Sequence, residues 1–353
     1  MTVLKLGSLF DGIGVFPLAA MYCGIEPVWA SEIEARPISI TKRHFPDMLH
    51  LGDITKISGA EIPPVDVITF GSPCQDLSQI GTRNGFAGKK SSLFYQAMRI
   101  IEEMRYATNG RYPAFCIWEN VAGAFSSNDR LDFAAMLRAF TGAEVSVPPR
   151  GWAHAGMVRG GRADTAWRLL DAQYWGEPAL VQRRKRVFVV ADFAGQRAGE
   201  VLFKPRTVLP FSAIGSPGEL SATARGGVSA AQTGRQVPIV RPFSLRRMRT
   251  MAQIGDQKGF CASFGRGGEP FPTLLASVTA PFSFWYEGEE QDGFLRVLTP
   301  LECERLMGLP ENWTKYGCKD EEISDHARYR ALGNSIALPC AEYVMAGIAE
   351  VMN

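Results

Sequence analysis

The chain has 353 residues, 21% of them charged, and a formal net charge of +2. A balance so close to zero excludes a surface that is basic all round, so contacts with nucleic acid have to come from local clusters. The length exceeds one ordinary core and predicts a large domain with a smaller one. The first residues do not read as a signal peptide, and no stretch approaches the roughly 18 apolar residues of a membrane span. We therefore expect a cytosolic or nuclear protein.

Short apolar runs alternate with helical patterns up to about residue 193. The predicted strands are Leu4–Leu9, Pro27–Ser31, Val65–Phe70, Ala114–Trp118 and Arg186–Asp192. The predicted helices include Gly14–Cys23, Ala35–His44, Ser92–Met104 and Arg130–Thr141. This alternation predicts a parallel sheet with helices on both faces. Ligands of such sheets bind at the carboxyl ends of the strands.

The first such end carries Phe10-Asp11-Gly12-Ile13-Gly14. Its glycines allow a tight turn and a close approach of the backbone to a ligand. Pro17 stands where a dinucleotide fingerprint has its third glycine. This favours a nucleoside over a pyrophosphate, although a tight turn without a ligand fits the motif equally well.

Two acidic residues follow the next short elements. Glu32 ends the second predicted strand, and Asp53 ends the element after it. An acid at this offset accepts hydrogen bonds from ribose hydroxyls in related folds. Each acid alone is typical of a solvated surface, but together they indicate an adenosine pocket, in which Asp53 would bind the adenine amino group.

A cysteine follows the strand that ends at Phe70. The seven cysteines are scattered and form no CxxC pair, so we expect neither a disulfide framework nor a metal site. Cys74 differs from the others because Pro73 precedes it and a loop with Gly81, Gly85 and Gly88 follows it. The position indicates a reachable nucleophile under a mobile loop. The alternative is an incidental exposed thiol.

Two further strand ends carry charged residues. Glu119 follows a buried strand, where desolvation would raise its pKa; alone it would read as a capping or surface residue. Within Gln182-Arg183-Arg184-Lys185-Arg186, a period of two places Arg184 and Arg186 on one face. A solvated basic run is the alternative.

From about residue 194 to 293 the chain becomes rich in glycine, serine, proline and arginine, which predicts a smaller domain of strands and loops. Thr299, Pro300 and Glu302 then predict a capping box at the start of a helix. Gly333-Asn334-Ser335 opens the last predicted helix, Ile336–Met352, as a cap or as a source of contacts to a nucleoside.

In this order the motifs resemble the DNA cytosine carbon-5 methyltransferase family. The matching stretches are FDGIG at 10–14, GSPCQDLS at 71–78, ENV at 119–121, QRRKR at 182–186, LTPLECERLMGLPENW at 298–313 and GNS at 333–335. The resemblance implies an α/β, Rossmann-like S-adenosylmethionine-dependent methyltransferase domain over 1–193. It also implies an irregular, β-rich target-recognition domain over 194–319, variable at about 194–293, and a segment 320–353 that returns to the first domain.

The resemblance further implies a cytoplasmic prokaryotic or phage enzyme that methylates carbon 5 of a cytosine flipped out of duplex DNA. Cys74 would attack carbon 6 of the base, and Glu119 would hold and protonate ring nitrogen 3. Arg186 would contact the ring oxygen and orient Glu119, with Arg184 nearby. No membrane or metal is implied, and a cognate restriction enzyme is compatible with this role but not required by it.

The remaining site residues follow from the same resemblance or from local charge. The cofactor residues would be Phe10, Asp11, Gly12, Gly14, Glu32, Asp53, Pro73, Asn334 and Ser335. The residues that contact DNA would be Gln75, Ser78, Arg83, Arg246, Arg247 and Arg249, with Arg241 in the same basic cluster. A solvated basic face is the alternative for these arginines.

The sequence departs from the family pattern at two places. Val15 replaces a second glycine after the first motif, and the loop 176–182 is about three residues longer than usual. Two rival functions also stay open: an enzyme of the same fold that methylates RNA such as tRNA, and a DNA-binding protein without turnover.

Overall fold

The computed structural model describes residues 3–72, 93–204, 240–242, 271, 273–274, 282–286 and 293–352. Its strands are β1 (Lys5–Leu9), β2 (Glu26–Ser31), β3 (Leu49–His50), β4 (Val67–Phe70), β5 (Phe115–Val121), β6 (Ala155–Arg159), β7 (Asp164–Asp171), β8 (Lys185–Asp192), β9 (Val240–Pro242), β10 (Phe282–Tyr286) and β11 (Gly293–Val297). Its helices are α1 (Val15–Tyr22), α2 (Ala35–His44), α3 (Leu93–Ala107), α4 (Leu131–Thr141), α5 (Ala198–Leu202), α6 (Pro300–Leu306), α7 (Asp325–Asn334) and α8 (Leu338–Met352).

The main sheet has eight strands in the order β3-β2-β1-β4-β5-β8-β7-β6. The five strands from β3 to β5 pair in parallel, with the reversal of strand order between β1 and β4. This is the Rossmann-like arrangement that the alternation of strands and helices predicts. A ligand site is therefore expected at the carboxyl ends of β1 and β4.

The prediction of a wholly parallel sheet is wrong for the other half. β8 pairs antiparallel with β5, and β7 and β6 continue in antiparallel pairing. The short link 160–163 between β6 and β7 allows only a hairpin, because a parallel pair needs a longer crossover. Neither strand was predicted from the sequence. As a consequence, the start of β8 lies beside the carboxyl end of β5.

Both faces of the sheet are buried. Along β5, Phe115 and Ile117 belong to one hydrophobic cluster, whereas Cys116 and Trp118 belong to the other. This follows from the two-residue period of a strand. The first cluster also includes Met307 and Val344, so helices from the end of the chain complete the core around the first sheet.

The segment of strands and loops contains a small antiparallel sheet in the order β11-β10-β9. The predicted capping box after it is confirmed. Thr299 Oγ1 accepts from the Glu302 backbone N–H at 3.3 Å, and Glu302 Oε2 accepts from the Thr299 N–H at 2.8 Å. Pro300 occupies the first helical position.

Gly333-Asn334-Ser335 does not open the last helix, so that prediction is wrong. These residues end α7, and α8 begins only at Leu338. The backbone of Ser335 is extended, with φ −78° and ψ 177°, and the Arg184 guanidinium binds the carbonyls of Gly333 and Ser335. Of the described helices, none alone is long and apolar enough to cross a membrane; α7 and α8 reach those limits only as a pair bent by 43°.

Candidate active site

A cavity of about 610 Å³ lies at the carboxyl ends of the parallel strands. It is lined by residues from the loop after β1, the ends of β2, β4 and β5, the start of β8, and α7. The predicted site residues among them are Phe10, Asp11, Gly12, Glu32, Glu119, Arg186, Asn334 and Ser335. The cavity therefore brings together residues that are far apart in the sequence. Some of them were predicted to bind the cofactor and the others to act in catalysis.

The loop after β1 turns through backbone conformations that favour glycine. Gly12 and Gly14 have φ of +60° and +79°. A side chain at Gly12 would meet no atom within 4 Å, whereas one at Gly14 would press on Phe45 and Thr41 at 3.2 Å. The loop thus has one open side and one side packed against α2. Val15 is a buried first residue of α1, so the missing second glycine disturbs neither side.

Glu32 ties the end of β2 to this loop. Its Oε2 accepts from the Gly12 N–H at 2.9 Å, and its Oε1 accepts from the N–H groups of Ile33 and Glu34 at 2.7 and 3.0 Å. A carboxylate held by three backbone donors has one fixed orientation. Glu32 is therefore pre-arranged to bind hydroxyl groups at the cavity.

Asp11 is a buried acid in the same loop. Neither carboxylate oxygen has a hydrogen-bond partner of normal geometry among the described residues. Burial, helped by the nearby charge of Glu32, raises the pKa of Asp11 to about 7, although the Ser8 and Thr41 hydroxyls act in the opposite direction. The charge at this loop therefore changes near neutral pH.

Replacing Asp11 with asparagine is expected to stabilise the protein at pH 8. Because the folded pKa is raised, the carboxyl group favours folding only while it is protonated, and this stability is lost as pH rises from about 4 to about 7. At about 1.4 kcal/mol per pKa unit, the upper limit is about 4 kcal/mol, and hydration of the loop reduces it to about 2 kcal/mol. Thermal melts of both proteins between pH 5 and 8 measure it. A difference in melting temperature that does not grow with pH would contradict the assignment.

Asp53 does not line the cavity. Its Oδ1 accepts from the N–H and hydroxyl of Thr55 at 3.0 and 2.8 Å, and so caps a 3-10 turn, Ile54–Lys56. These hydrogen bonds lower the pKa of Asp53. Its predicted contact with the adenine amino group stays a prediction.

Glu119 and Arg186 form an ion pair at the inner end of the cavity. Arg186 pairs with Val121 in the sheet, two residues beyond Glu119, so both side chains point to the same face. Arg186 Nε lies 3.0 Å from Glu119 Oε1, and the two side chains are only 13% and 12% exposed. Burial raises the pKa of Glu119, and Arg186 and then Arg184 oppose it only in part. The pair thus combines a carboxyl group prone to protonation with a fixed cation.

The chain runs beside this pair as it enters the segment that holds Cys74. A side chain at Gly71 would meet Glu119 Oε2 at 3.1 Å, so glycine leaves room there. The Ser72 carbonyl accepts from Asn120 Nδ2 at 3.0 Å. Cys74 and Pro73 lie outside the described residues, as do Gln75, Ser78, Arg83, Arg246, Arg247 and Arg249. The side chain of Arg241 is not described either.

Arg184, predicted beside the catalytic pair, lies behind residues that form the wall of the cavity. It precedes β8, is 1% exposed and does not line the cavity. Its Nη1 donates to the Leu274 carbonyl and its Nη2 to the Gly333 carbonyl, both at 2.8 Å. Burial, with Arg186 nearby, lowers its pKa to about 9, so it stays charged at neutral pH. Arg184 therefore joins Leu274 to the end of α7, just behind residues that line the cavity.

Two residues from the segment of strands and loops line the cavity and were not predicted. Thr273 and Leu274 line the cavity, and no motif marks them. The longer loop 176–182 explains how they arrive there. The Val181 carbonyl accepts from the Phe271 N–H at 2.6 Å, and the Phe271 carbonyl accepts from the Arg183 N–H at 2.7 Å. The end of the loop therefore fixes the backbone of Phe271, two residues before Thr273.

The described ranges bring no three His, Cys, Asp or Glu side chains together as a metal ion would need.

Known proteins of similar sequence and structure identify the family of this chain. The sequence model described as C-5 cytosine-specific DNA methylase matches residues 4–204 and 244–350. The chain is 27% identical to the Type II methyltransferase M1.ScrFI of Lactococcus lactis subsp. cremoris, over 99% of this chain and 78% of that one. It is 23% identical to M.HhaI of Haemophilus parahaemolyticus, over 100% and 96%.

A third relative is the DNA N-6-adenine-methyltransferase of Escherichia phage P1, with 24% identity; the match spans 98% of this chain but only 61% of that protein. Two solved structures share the fold. The S. pombe Dnmt2 methyltransferase gives a TM-score of 0.62 at 16% identity over 99% of both chains. The methyltransferase EhMeth of Entamoeba histolytica gives 0.60 at 14% over 100% of both. With the family match across most of its length, the chain belongs to the C-5 cytosine-specific DNA methylase family.

Proposed function

We propose that this methyltransferase modifies carbon 5 of a cytosine that is flipped out of a specific duplex DNA sequence, through a covalent bond between Cys74 and carbon 6. The observation that carries the proposal is the single cavity shared by the Glu119–Arg186 pair and by the loop after β1 with Glu32. One part suits a pyrimidine ring and the other a nucleoside, so donor and acceptor would meet within one cavity.

Family membership implies S-adenosylmethionine as the methyl donor, and the residues present fit it. Glu32 lines this end of the cavity as a carboxylate without an ion-pair partner among the described residues, which suits a ligand with hydroxyl groups and a positive charge. Gly12 leaves open space for the ligand, and Glu32 is oriented for ribose hydroxyls. When bound, this cofactor supplies an electrophilic methyl group. Phe10, Asn334 and Ser335 would complete its site, with Gly14, Asp53 and Pro73 added by family analogy.

The protein's own groups would make the base reactive. Carbon 5 of cytosine is a poor nucleophile, and addition of the Cys74 thiolate to carbon 6 turns the ring into an enamine. Glu119 donates a proton to ring nitrogen 3 as that bond forms, for which its raised pKa is suited. Arg186 holds Glu119 and contacts the ring oxygen. After methylation, the proton on carbon 5 passes to water, and the bond between Cys74 and carbon 6 breaks as ring nitrogen 3 returns its proton to Glu119. This restores the thiolate of Cys74 and the acid form of Glu119.

A cytosine stacked in a duplex cannot enter this cavity, so the base has to leave the helix. The glycine-rich segment after Cys74 would close over it, and the arginines at 246, 247 and 249 would contact the DNA; both lie outside the described ranges. The names of the bacterial and phage relatives favour a cytoplasmic enzyme of DNA modification. The name of the phage P1 relative adds adenine nitrogen 6 as a substrate to be tested, and RNA remains the rival substrate left open by the sequence.

The test is incubation of the purified protein with labelled S-adenosylmethionine and either mixed genomic DNA or tRNA, followed by chromatography of the nucleosides. We expect the label in 5-methyldeoxycytidine only. Label in N6-methyldeoxyadenosine would indicate the chemistry named for the phage P1 relative. Label in tRNA would indicate an RNA enzyme, and binding of DNA without transfer would indicate a non-catalytic protein.

A further inference from the structure

Trp313 reaches from the end of the chain to the loop that follows β1. Its side chain is buried, and its indole Nε1–H donates to the Ile13 carbonyl at 2.8 Å. Ile13 lies between Gly12 and Gly14, in the loop that lines the cavity. The hydrogen bond spans 300 residues of sequence. Through this hydrogen bond, the segment that carries Trp313 binds the loop after β1.

The indole is itself fixed by α2. The His44 ring stacks on it, with centroids 3.5 Å apart and planes 6° apart. His44 Nε2 lies 2.8 Å from the Trp313 carbonyl oxygen, which can only accept, so this nitrogen carries the proton. Phe45 packs edge-on against the same indole and also backs Gly14. The stacking of His44, the edge contact of Phe45 and the hydrogen bond to Ile13 together restrict the indole to one orientation.

The turn that carries Trp313 is fixed by the buried carboxylate of Glu304. Glu304 is 0% exposed and accepts from the N–H groups of Asn312 at 2.7 Å and Thr314 at 2.8 Å. Arg328 Nη2 neutralises Glu304 at 3.1 Å. Because Arg328 belongs to α7, which ends at the cavity with Asn334, the two sides of the cavity share this support.

The loop has other ties, but they come from its own half of the sheet. Gly12 donates its N–H to Glu32, and the Thr41 hydroxyl donates to the Gly12 carbonyl at 3.2 Å. Those ties fix Gly12. Among the described residues, the Ile13 carbonyl accepts a hydrogen bond from Trp313 alone. Without that bond, this buried carbonyl would lose its partner and the loop could turn, which would change the space beside Gly12.

We propose that Trp313 is a positioning residue for the cofactor cavity: its indole fixes the Ile13 carbonyl and thereby the shape of the loop against which the methyl donor binds. The inference rests on the proposed function for the identity of the ligand. It predicts that Trp313 acts on cofactor affinity and not on the chemical step, although it touches neither cofactor nor base.

The test uses Trp313→Phe, which keeps an aromatic ring but removes the donor. We expect the dissociation constant for S-adenosylhomocysteine, measured by calorimetry, to rise about tenfold. The KM for S-adenosylmethionine should rise in parallel, while kcat at saturating cofactor and the affinity for DNA stay within about twofold. Amide hydrogen exchange at Gly12 and Gly14 of the free protein should become faster.

Trp167→Phe is the matched control. Trp167 is 6% exposed, and its indole also donates to a carbonyl, that of Ala153 at 3.0 Å, away from the cavity. The Trp167→Phe variant should lose about as much stability as Trp313→Phe, without a change in cofactor affinity or in amide hydrogen exchange at Gly12. His44→Phe, which keeps a stacked ring but loses the bond to the Trp313 carbonyl, should shift affinity in the same direction by less. It serves as the test variant if Trp313→Phe does not fold.

Two failures are distinguishable. If the wild-type protein binds S-adenosylhomocysteine and Trp313→Phe binds it equally well, or if both tryptophan variants weaken binding alike, the positioning role is overturned and the proposed function stands. If the wild-type protein binds no S-adenosylhomocysteine at all, the proposed function is overturned and the inference falls with it.

Discussion

Replacing Glu119 with glutamine is expected to lower kcat about a thousandfold, the range in which a positioned acid acts on a proton transfer. Glutamine keeps the size and the hydrogen-bonding edge of the side chain but cannot give a proton to ring nitrogen 3. The protein should still fold, because the amide oxygen of glutamine can still accept a hydrogen bond from Arg186 in place of the carboxylate. Binding of DNA and of S-adenosylhomocysteine should change by less than about threefold.

The pH dependence gives this substitution a second signature. Burial raises the pKa of Glu119, so the acid form persists to higher pH than in an exposed glutamate. Because the proton-donating form is the active one, kcat should fall as pH rises through that raised pKa. The glutamine variant should lack this limb of the profile. The measurement is single-turnover methyl transfer at a series of pH values.

Glu103→Gln is the control for Glu119→Gln. Glu103 also pairs with an arginine, Arg99, at 2.9 Å, but it lies outside the cavity and its side chain is 34% exposed. We expect this variant to keep wild-type kcat. If Glu119→Gln retained more than about a tenth of the wild-type kcat, Glu119 would not be the proton donor.

Replacing Arg184 with methionine is expected to cost about 4 kcal/mol of unfolding free energy, because the backbone carbonyls that it binds would lose their donor at about 1–3 kcal/mol each. The carbonyls of Leu274 and Gly333 would lose a donor in a buried position, and the carbonyl of Ser335 would lose one in a partly buried position. Methionine fills the volume, so the loss reports on polar contacts and not on a cavity. Denaturation in urea measures it.

Arg99→Met is the comparison for Arg184→Met. The Arg99 guanidinium also donates to two carbonyls, those of Ile57 and Ile54 at 2.9 and 3.1 Å, but its side chain is 33% exposed. Water can replace it there, so we expect a loss of about 1 kcal/mol. Equal losses of unfolding free energy in the two variants would mean that the hydrogen bonds of Arg184 to Leu274 and to the end of α7 contribute no more than those of an exposed arginine.

The sequence predicts the regular elements best where local pattern decides them. The predicted helix Ala35–His44 has the bounds observed, because its apolar face repeats with helical period. β5 runs on to Val121, beyond the predicted Trp118, since its last residues are paired by β8. β6 and β7 were missed because their pairing partners, and not their own pattern, make them strands.

The residues of the candidate site also divide into those that a local sequence pattern predicts and those that it does not. Gly12, Glu32, Glu119 and Arg186 are strand-end residues with recognisable chemistry, and the cavity unites them. Arg184 does not line the cavity, because its guanidinium is taken up by the carbonyl groups of residues that do. Thr273, Leu274 and Trp313 reach the site or its loop through contacts between distant parts of the chain. No local pattern encodes such contacts.

Covalent trapping on DNA that contains 5-fluorocytosine tests the central claim most directly. Fluorine at carbon 5 cannot leave as a proton does, so an enzyme that bonds to carbon 6 stays attached after methylation. A pool of duplexes copied from genomic DNA with 5-fluorodeoxycytidine triphosphate avoids the need to know the target sequence. With S-adenosylmethionine present, we predict a complex of wild-type protein and DNA that survives denaturing electrophoresis, and none with Cys74→Ser. A wild-type protein that methylates cytosine but is never trapped, or a Cys74→Ser variant that is trapped equally, would contradict the account.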